Sequence, residues 1–495
     1  MERIEERYLR PLLKTGPGYL LSVGTLLALI AWALYAYAQQ LRIGLWVTGM
    51  NTPTYWGFYI VNFVFFIGLS AGGIIVASLV HAFGLERFRP VARIAELMAI
   101  SCLILATIFI MLDLGRPDRF YHLLLYGRLE SPLIWDVIVI VLYLLVGMAY
   151  GYFGTRADLV RCITLIPKRR WLFRLLALGY TDLTEPALER DRRILRALAI
   201  IGLPLAVALH SITAWILGLV KAQPGWYSAL LAPLFVVSAT VSGLALLIVS
   251  AVFSKQVLKL EVEEGVIKDL GRLLALSIPV LGYFLFAELL TVTYAKEPAG
   301  LHVFQEMIFG RYAPIFWGNL ILGLLYPLVI LAKPKRNIVA WAGLPAGVAI
   351  ALLVIWFNVE TPLLLNWVLP FTFGFSLPIW LEYFILWLFG LLLPLFLLLD
   401  ERRSTEIRVG IAAALVVLGV LAERWNIVIT PLLKHAHLPY APGSYTPTFI
   451  ELSLVIGVYA IGALFFAVCA KLFPLVELEE RQAFSPGEHG RGEPA

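Results

Sequence analysis

The chain has 495 residues, of which 60% are hydrophobic and only 15% are charged, with a mean hydropathy of +0.86. A soluble domain of this length exposes more charge, so the composition excludes that class. Uncharged runs of 18 or more residues recur, and each is long enough to cross a bilayer. The sequence therefore predicts an all-α, polytopic transmembrane helical bundle. The net charge of +6 is best interpreted loop by loop, and we expect no nucleic-acid partner.

The hydrophobic runs predict about 10–12 membrane spans. The full count is twelve, at residues 17–38, 55–83, 91–112, 131–153, 193–219, 227–253, 272–295, 312–332, 338–357, 380–399, 407–425 and 449–473. If both termini are cytoplasmic, 30 of the 39 Lys and Arg residues fall on the inner side, as the positive-inside rule requires. We therefore expect a multi-pass protein of the cytoplasmic membrane with a cytoplasmic N-terminus (1–16) and a cytoplasmic tail (474–495).

The largest predicted inner loop covers residues 154–192 and contains "PKRRWLFRLLALGY". Basic residues mixed with Trp, Phe and Leu are typical of a helix that lies on anionic headgroups, so membrane lipid is an expected partner. A docking surface for a protein is the alternative.

The C-terminal spans contain a predicted internal repeat. "SLPIWLE" (376–382) resembles "YTPTFIE" (445–451), and "FNVETPLLLN" (357–366) resembles "WNIVITPLLKH" (425–435). We therefore divide the membrane region into a core at 17–335 and C-terminal hairpins at 338–473, as parallel copies of one unit.

Ionisable and polar residues inside spans are costly and are candidates for function. Counting along the helices at about 1.5 Å per residue places five of them near the outer face. These are Asn62, Asp113, Asp136, His210 and Glu288. A smaller inner group comprises His81 and Glu96, which we interpret as helix-end residues or as the start of a proton path. Asp113 can also be a simple helix-end charge paired with Arg116.

A histidine and carboxylates in an apolar pocket suit the two oxygens and two protons of a quinone. Haem fits less well, because the two span histidines, His81 and His210, lie at opposite depths. The three cysteines are scattered, so they cannot by themselves hold an iron–sulfur cluster or a structural zinc. We expect no metal ligand and no redox centre in this chain.

Several stretches, in this order and spacing, resemble the NrfD/PsrC family of polysulfide-reductase-like membrane subunits. They are "YWGFYIVNFVFFIGLSAGG", "ARIAELMAI", "LDLGRPDRF", "SPLIWD", "LHSITAWILGLVKAQPGWYSALLAPLFVVSATVSG" and, near the end, "ERWNIVITP" and "YTPTFIELSL". Related subunits belong to alternative complex III, hydrogenase-2 and sulfite-reduction complexes. Ser70 or Ala71, and Asp113, stand where alternative complex III subunits tend to have histidine. The resemblance is therefore closest to the hydrogenase-2 and sulfite-reduction branch.

The resemblance implies a quinone-reactive anchor whose site lies near the outer face of a four-helix bundle. It implies an extracytoplasmic four-cluster iron–sulfur partner and a catalytic molybdopterin or cytochrome subunit. On this hypothesis Asn62, Asp113, Asp136 and His210 bind menaquinone or ubiquinone, and Glu288 joins the last three in proton transfer, with coupling to proton translocation left open. In "MLDLGRPDRFYH" (111–122), Asp113 faces the quinone, while Arg116 and Arg119 hold the turn beneath the partner. A secondary transporter and a purely structural anchor are the alternatives.

Overall fold

The computed structural model describes residues 12, 15–260, 262–310, 312–332, 405–433 and 443–475, which contain helices, turns and loops but no strand. Ten helices are long and apolar enough to cross a membrane. They are α1 Pro17–Ile43, α2 Phe58–Ala82, α3 Glu86–Asp113, α4 Pro132–Leu165, α5 Glu185–Gly218, α6 Leu231–Val257, α7 Glu264–Ala295, α8 Ala313–Leu331, α9 Thr405–Leu433 and α10 Phe449–Leu472. Ten of the twelve predicted spans are thus confirmed. Those at 338–357 and 380–399, with the first copy of the repeat, lie outside the described residues.

The region predicted as one long inner loop is shorter than expected. Helix α4 continues to Leu165 and α5 begins at Glu185, so charged residues counted as loop residues lie on helices. Two of them, Arg156 and Asp191, are buried and form an ion pair between α4 and α5. Because mutual neutralisation lets these charges enter the bundle, the helices extend beyond the hydrophobic runs. A short helix, Arg170–Leu176, follows α4, with Phe173 buried.

Helix α2 lies at the centre of the bundle and is buried along most of its length. The helices α2, α3, α4 and α5 contact one another in a ring, while α6, α9 and α10 pack on the other sides of α2. The approach of α6 depends on two glycines: a Cβ on Gly72 would lie 2.4 Å from the carbonyl oxygen of Gly243. Small residues of this kind let helix backbones meet within a membrane. The ring of α2, α3, α4 and α5 is the predicted four-helix bundle.

Helices α1 and α10 run antiparallel along each other. The Tyr19 hydroxyl, near the start of α1, donates to the carbonyl oxygen of Ala467 at 3.3 Å. At the opposite end, the Gly49 amide donates to Glu451, near the start of α10, at 2.7 Å. The start of α1 and the end of α10 therefore share one face. We name it the inner face, and the opposite one the outer face.

Candidate functional site

The outer ends of α1, α2 and α10 meet around the carboxyl group of Glu451. Its Oε2 accepts hydrogen bonds from the backbone amides of Gly49 and Thr448 at 2.7 and 2.9 Å, and its Oε1 accepts one from the Tyr445 hydroxyl at 2.7 Å. Burial, together with the Glu451 charge, raises the pKa of Tyr445 well above its usual value. Tyr445 therefore stays a neutral hydrogen-bond donor to this carboxyl group at any physiological pH.

A second buried chain of hydrogen bonds joins α1 to α2 and α3. The Tyr59 hydroxyl donates to Gln40 Oε1 at 2.7 Å, and Gln40 Nε2 donates to the carbonyl oxygen of Leu112 at 2.7 Å. This chain ends one residue before Asp113, whose own charge lies within electrostatic range of Tyr59 and Glu451. We name Gln40, Tyr59, Asp113, Tyr445 and Glu451 the outer cluster.

Asp113 has an open hydrogen-bonding position inside the outer cluster. Its Oδ1 is shielded from solvent and has no hydrogen-bond partner in the described part of the chain. The neighbouring Arg116 is exposed and binds Asp118 through two hydrogen bonds of 2.9 and 2.8 Å, which lower the pKa of Asp118. The alternative in which Arg116 pairs with Asp113 is therefore wrong. A buried polar atom without a partner needs an explanation, and a polar ligand supplies one.

Asn62 lies one turn deeper on α2 than Tyr59 and is fully buried. Its amide nitrogen donates to the carbonyl oxygen of Phe58 at 2.8 Å, and its Oδ1 accepts from the Tyr459 hydroxyl of α10 at 2.9 Å. Asn62 thus connects α2 to α10 on the inner side of the outer cluster. Its partner Tyr459 had not been singled out in the sequence, where it is one of 21 tyrosines.

Asp136 and His210 lie in the interior of the four-helix ring. Asp136 of α4 accepts a hydrogen bond of 2.6 Å from Thr213 of α5. His210, one turn before Thr213, has Nδ1 2.6 Å from the carbonyl oxygen of Ala206 and Nε2 3.1 Å from that of Ile67. A neutral imidazole has a single N–H, so one ring nitrogen of His210 has no proton to donate to the carbonyl oxygen that it faces. Both nitrogens have a hydrogen-bond partner only if the ring rotates or binds a second proton.

Glu288 lies elsewhere. It accepts a hydrogen bond of 2.7 Å from Ser228, just before α6, and its helix α7 packs on α6, α8 and α9 rather than on the four-helix ring. Of the five predicted residues, Asp113 therefore belongs to the outer cluster and Asn62 lies next to it. Asp136 and His210 lie at the interface of α4 and α5 inside the ring, and Glu288 forms a separate pair with Ser228. All five remain in the outer parts of their helices.

Helix α9 carries a buried ion pair that was not among the candidates predicted from the sequence. The side chains of Glu423 and Arg424 are 3.6 Å apart and 2% and 1% exposed. The Ser238 hydroxyl donates to Glu423 at 2.8 Å, while the Arg424 guanidinium lies 4.2 Å from the ring centroid of Phe235. Both residues belong to "ERWNIVITP", one of the stretches that carry the family resemblance, and the sequence signal for them is a pair of charges inside a predicted span. Charges so deep in a bundle are functional candidates.

The inner end of the ring holds more polar groups than His81 and Glu96, the two that the sequence predicted there. His81 Nδ1 lies 2.5 Å from the Tyr150 hydroxyl, and Arg93 of α3 forms an ion pair of 2.5 Å with Asp158 of α4. Glu96 faces Gly154 of α4. A cavity of about 300 Å³ adjoins these groups, lined among others by His81, Arg93, Asp158 and Asp191. The helix extensions of α4 and α5 contribute Asp158, Asp191 and Arg192 to its walls.

Within the described ranges, no group of three or more His, Cys, Asp or Glu side chains is arranged to hold a metal ion.

Comparison with known proteins identifies the class that this helical membrane bundle belongs to. Residues 46–359 match the family described as "Polysulphide reductase, NrfD". The chain is 30% identical over 471 residues, 94% of either chain, to a protein of Halobacterium salinarum whose name describes a membrane subunit of dimethyl sulfoxide reductase.

Two further relatives are shorter. The chain is 31% identical over 314 residues, 73% of that protein, to a selenate reductase subunit of Mesobacillus selenatarsenatis. It is 29% identical over 321 residues, 72% of that protein, to an Hdr-like menaquinol oxidoreductase integral membrane subunit of Archaeoglobus fulgidus. The chain therefore belongs to the NrfD family of multi-pass membrane proteins, as the resemblance predicted.

Proposed function

We propose that this chain is the quinone-reactive membrane subunit of a respiratory redox complex. It would exchange electrons and protons between a membrane quinone or quinol and an iron–sulfur partner subunit. The observation that carries the proposal is the shielded, unpartnered Oδ1 of Asp113 within the outer cluster. The names of the relatives, a menaquinol oxidoreductase subunit among them, support a redox role over the transporter alternative.

The residues of the outer cluster fit the polar head of a quinone. A bound quinone supplies two-electron, two-proton redox chemistry. The open Oδ1 of Asp113 can accept a hydrogen bond from a quinol hydroxyl and then its proton. Tyr59 and Gln40 fix the backbone beside Asp113 through the Leu112 carbonyl, and Glu451 supplies a second carboxyl group within electrostatic range.

Asp136 and His210 form the second part of the proposed site. Asp136 keeps one oxygen for Thr213 and retains acceptor capacity on the other. His210 gains a new partner for one ring nitrogen if the ring turns away from a carbonyl. These two groups would take a proton in the interior of the four-helix ring. The electrons would leave at the outer face, where Arg116 and Arg119 stand in the exposed turn after α3.

The inner cavity supports the further proposal that quinone turnover is coupled to proton movement. The Tyr150 hydroxyl lies 2.5 Å from His81 Nδ1 at this cavity, and Tyr150 and Glu96 line a smaller space between α2, α3 and α4. In this proposal these three groups carry the proton into the ring. In liposomes containing the complex, Glu96→Gln would then abolish internal pH change while quinol oxidation continues. An unchanged ratio of protons to electrons would contradict the coupling.

The test of the main proposal compares Asp113→Asn with Asp118→Asn in the purified complex. Both substitutions remove one carboxylate within six residues, but Asp118 is exposed and bound to Arg116. We expect Asp113→Asn to lower the turnover rate (kcat) for quinol by about 10²- to 10⁴-fold, the range for loss of a general acid or base. Asp118→Asn should leave turnover within twofold of the wild type.

Binding separates the site from a structural anchor. A fluorescent quinol-site inhibitor should quench saturably on the wild type and lose affinity on Asp113→Asn and Asp136→Asn, with Glu288→Gln deciding whether the α7 carboxyl group takes part. Full turnover by Asp113→Asn would refute its catalytic role. Absence of saturable binding by the intact complex would refute the quinone site.

A further inference from the structure

A large apolar cleft lies outside the four-helix ring. It has a volume of about 870 Å³ and is lined by six helices: α1, α2, α3, α6, α9 and α10. Its walls are mainly apolar and include Phe65, Leu105, Leu246, Leu421, Ala463 and Phe466. None of the five residues of the outer cluster lines it, and it meets the proposed quinone site at Tyr459, the hydrogen-bond partner of Asn62.

The depth of the cleft matches one leaflet of a bilayer. On α10 it reaches from Tyr459, near the middle of the bundle, to Lys471 at the inner face. These twelve residues rise by about 18 Å at about 1.5 Å per residue. Half of a bilayer core is about 15 Å thick. A single fatty-acyl chain that starts at the inner face therefore spans the length of the cleft and ends beneath Tyr459.

The mouth of the cleft is basic. Lys259, exposed just after α6, and Lys471 both line it. The Lys471 ammonium lies 4.7 Å from the ring centroid of Tyr19, which is itself held by its hydrogen bond to Ala467. Arg169 reaches the same point, since its Nη1 donates to the Lys471 carbonyl at 3.4 Å. Three cations thus gather where a lipid headgroup would lie.

We propose that this cleft binds an anionic phospholipid of the inner leaflet, with one acyl chain inside and the phosphate on Lys259 and Lys471. The basic mouth favours this occupant over the tail of a quinone, whose ring carries no net charge. Each Lys or Arg near an anionic lipid surface contributes about fivefold to binding.

Native mass spectrometry of the full-length protein in detergent tests the site, with phosphatidylglycerol or phosphatidylcholine as the added lipid. We expect the wild type to prefer phosphatidylglycerol, and the double variant Lys259→Gln with Lys471→Gln to lose about 25-fold in affinity for it. Lys296→Gln is the matched control, because Lys296 is also exposed with a positive φ (52°, against 58° for Lys259) after a helix, but at the outer face. It should change nothing.

Filling the cleft tests the acyl chain separately. Ala463 lines the cleft without being buried in the core, so Ala463→Phe should reduce binding of both lipids. Ala28→Phe, at an exposed position on α1 outside the cleft, should not, and thermal unfolding verifies that both variants fold. Equal binding of the two lipids by the wild type would overturn the proposal. So would phosphatidylglycerol binding that survives the lysine substitutions, or displacement of the lipid by menaquinone.

Discussion

Replacing Glu451 by alanine would remove the group that joins the start of α10 to the segment after α1. The wild-type carboxyl group accepts three hydrogen bonds, from the amides of Gly49 and Thr448 and from the Tyr445 hydroxyl. Each bond to a charged acceptor contributes about 1.5–3 kcal/mol, and a buried donor left without a partner adds its desolvation cost. Because water can enter the space left by the side chain, we expect a loss of about 3–6 kcal/mol in the free energy of unfolding.

Glu451→Gln is the matched comparison. A glutamine oxygen in place of Oε2 keeps both backbone amides satisfied, and only the Tyr445 hydroxyl must reorient. The loss should then be about 1–2 kcal/mol. Thr448→Ala, which removes the other half of the capping box, should cost about 1 kcal/mol. Unfolding by a denaturing detergent, followed by circular dichroism, measures all three. If Glu451→Ala stays within about 0.5 kcal/mol of the wild type, the carboxyl group does not hold these helices together.

Two further predictions concern the centre of the bundle. Gly72→Ala should destabilise by about 1–3 kcal/mol, since its Cβ would clash with the Gly243 backbone, whereas Gly147→Ala, whose Cβ would lie 3.8 Å from its nearest neighbour, should be neutral or stabilising in the same unfolding assay. Arg424→Met should cost about 3–5 kcal/mol because it leaves Glu423 buried without a counter-charge. Adding Glu423→Gln should recover most of that loss, and a double variant no more stable than Arg424→Met would show that the two side chains are not coupled.

Much of the architecture followed from the sequence because a bilayer leaves few choices. Inside it every backbone polar group must be paired within the segment, so a long apolar run has to be a helix. The fixed rise per residue then assigns a depth to each polar side chain. This reasoning gave all ten membrane helices that fall within the described residues, and it placed Asn62, Asp113, Asp136, His210 and Glu288 in the outer parts of their helices.

The sequence does not reveal which side chains contact each other across the bundle. The sequence is apolar all round α2, so its pattern does not show which side faces which helix. Depth alone grouped Glu288 with Asp136. Because α7 packs on α6, however, Glu288 accepts a hydrogen bond from Ser228 instead. Their charge alone assigned Arg156 and Asp191 to a loop, yet the two residues form a buried ion pair between α4 and α5.

The sequence by itself thus determined the class of protein, the ten membrane helices within the described residues and the depth of their polar residues. The tertiary structure decided which of those residues meet. Rotation of each helix about its axis is set by close contacts such as Gly72 on Gly243. Hydrogen bonds between distant segments, such as Gly49 to Glu451 across 402 positions of chain, carry no local signature in the sequence.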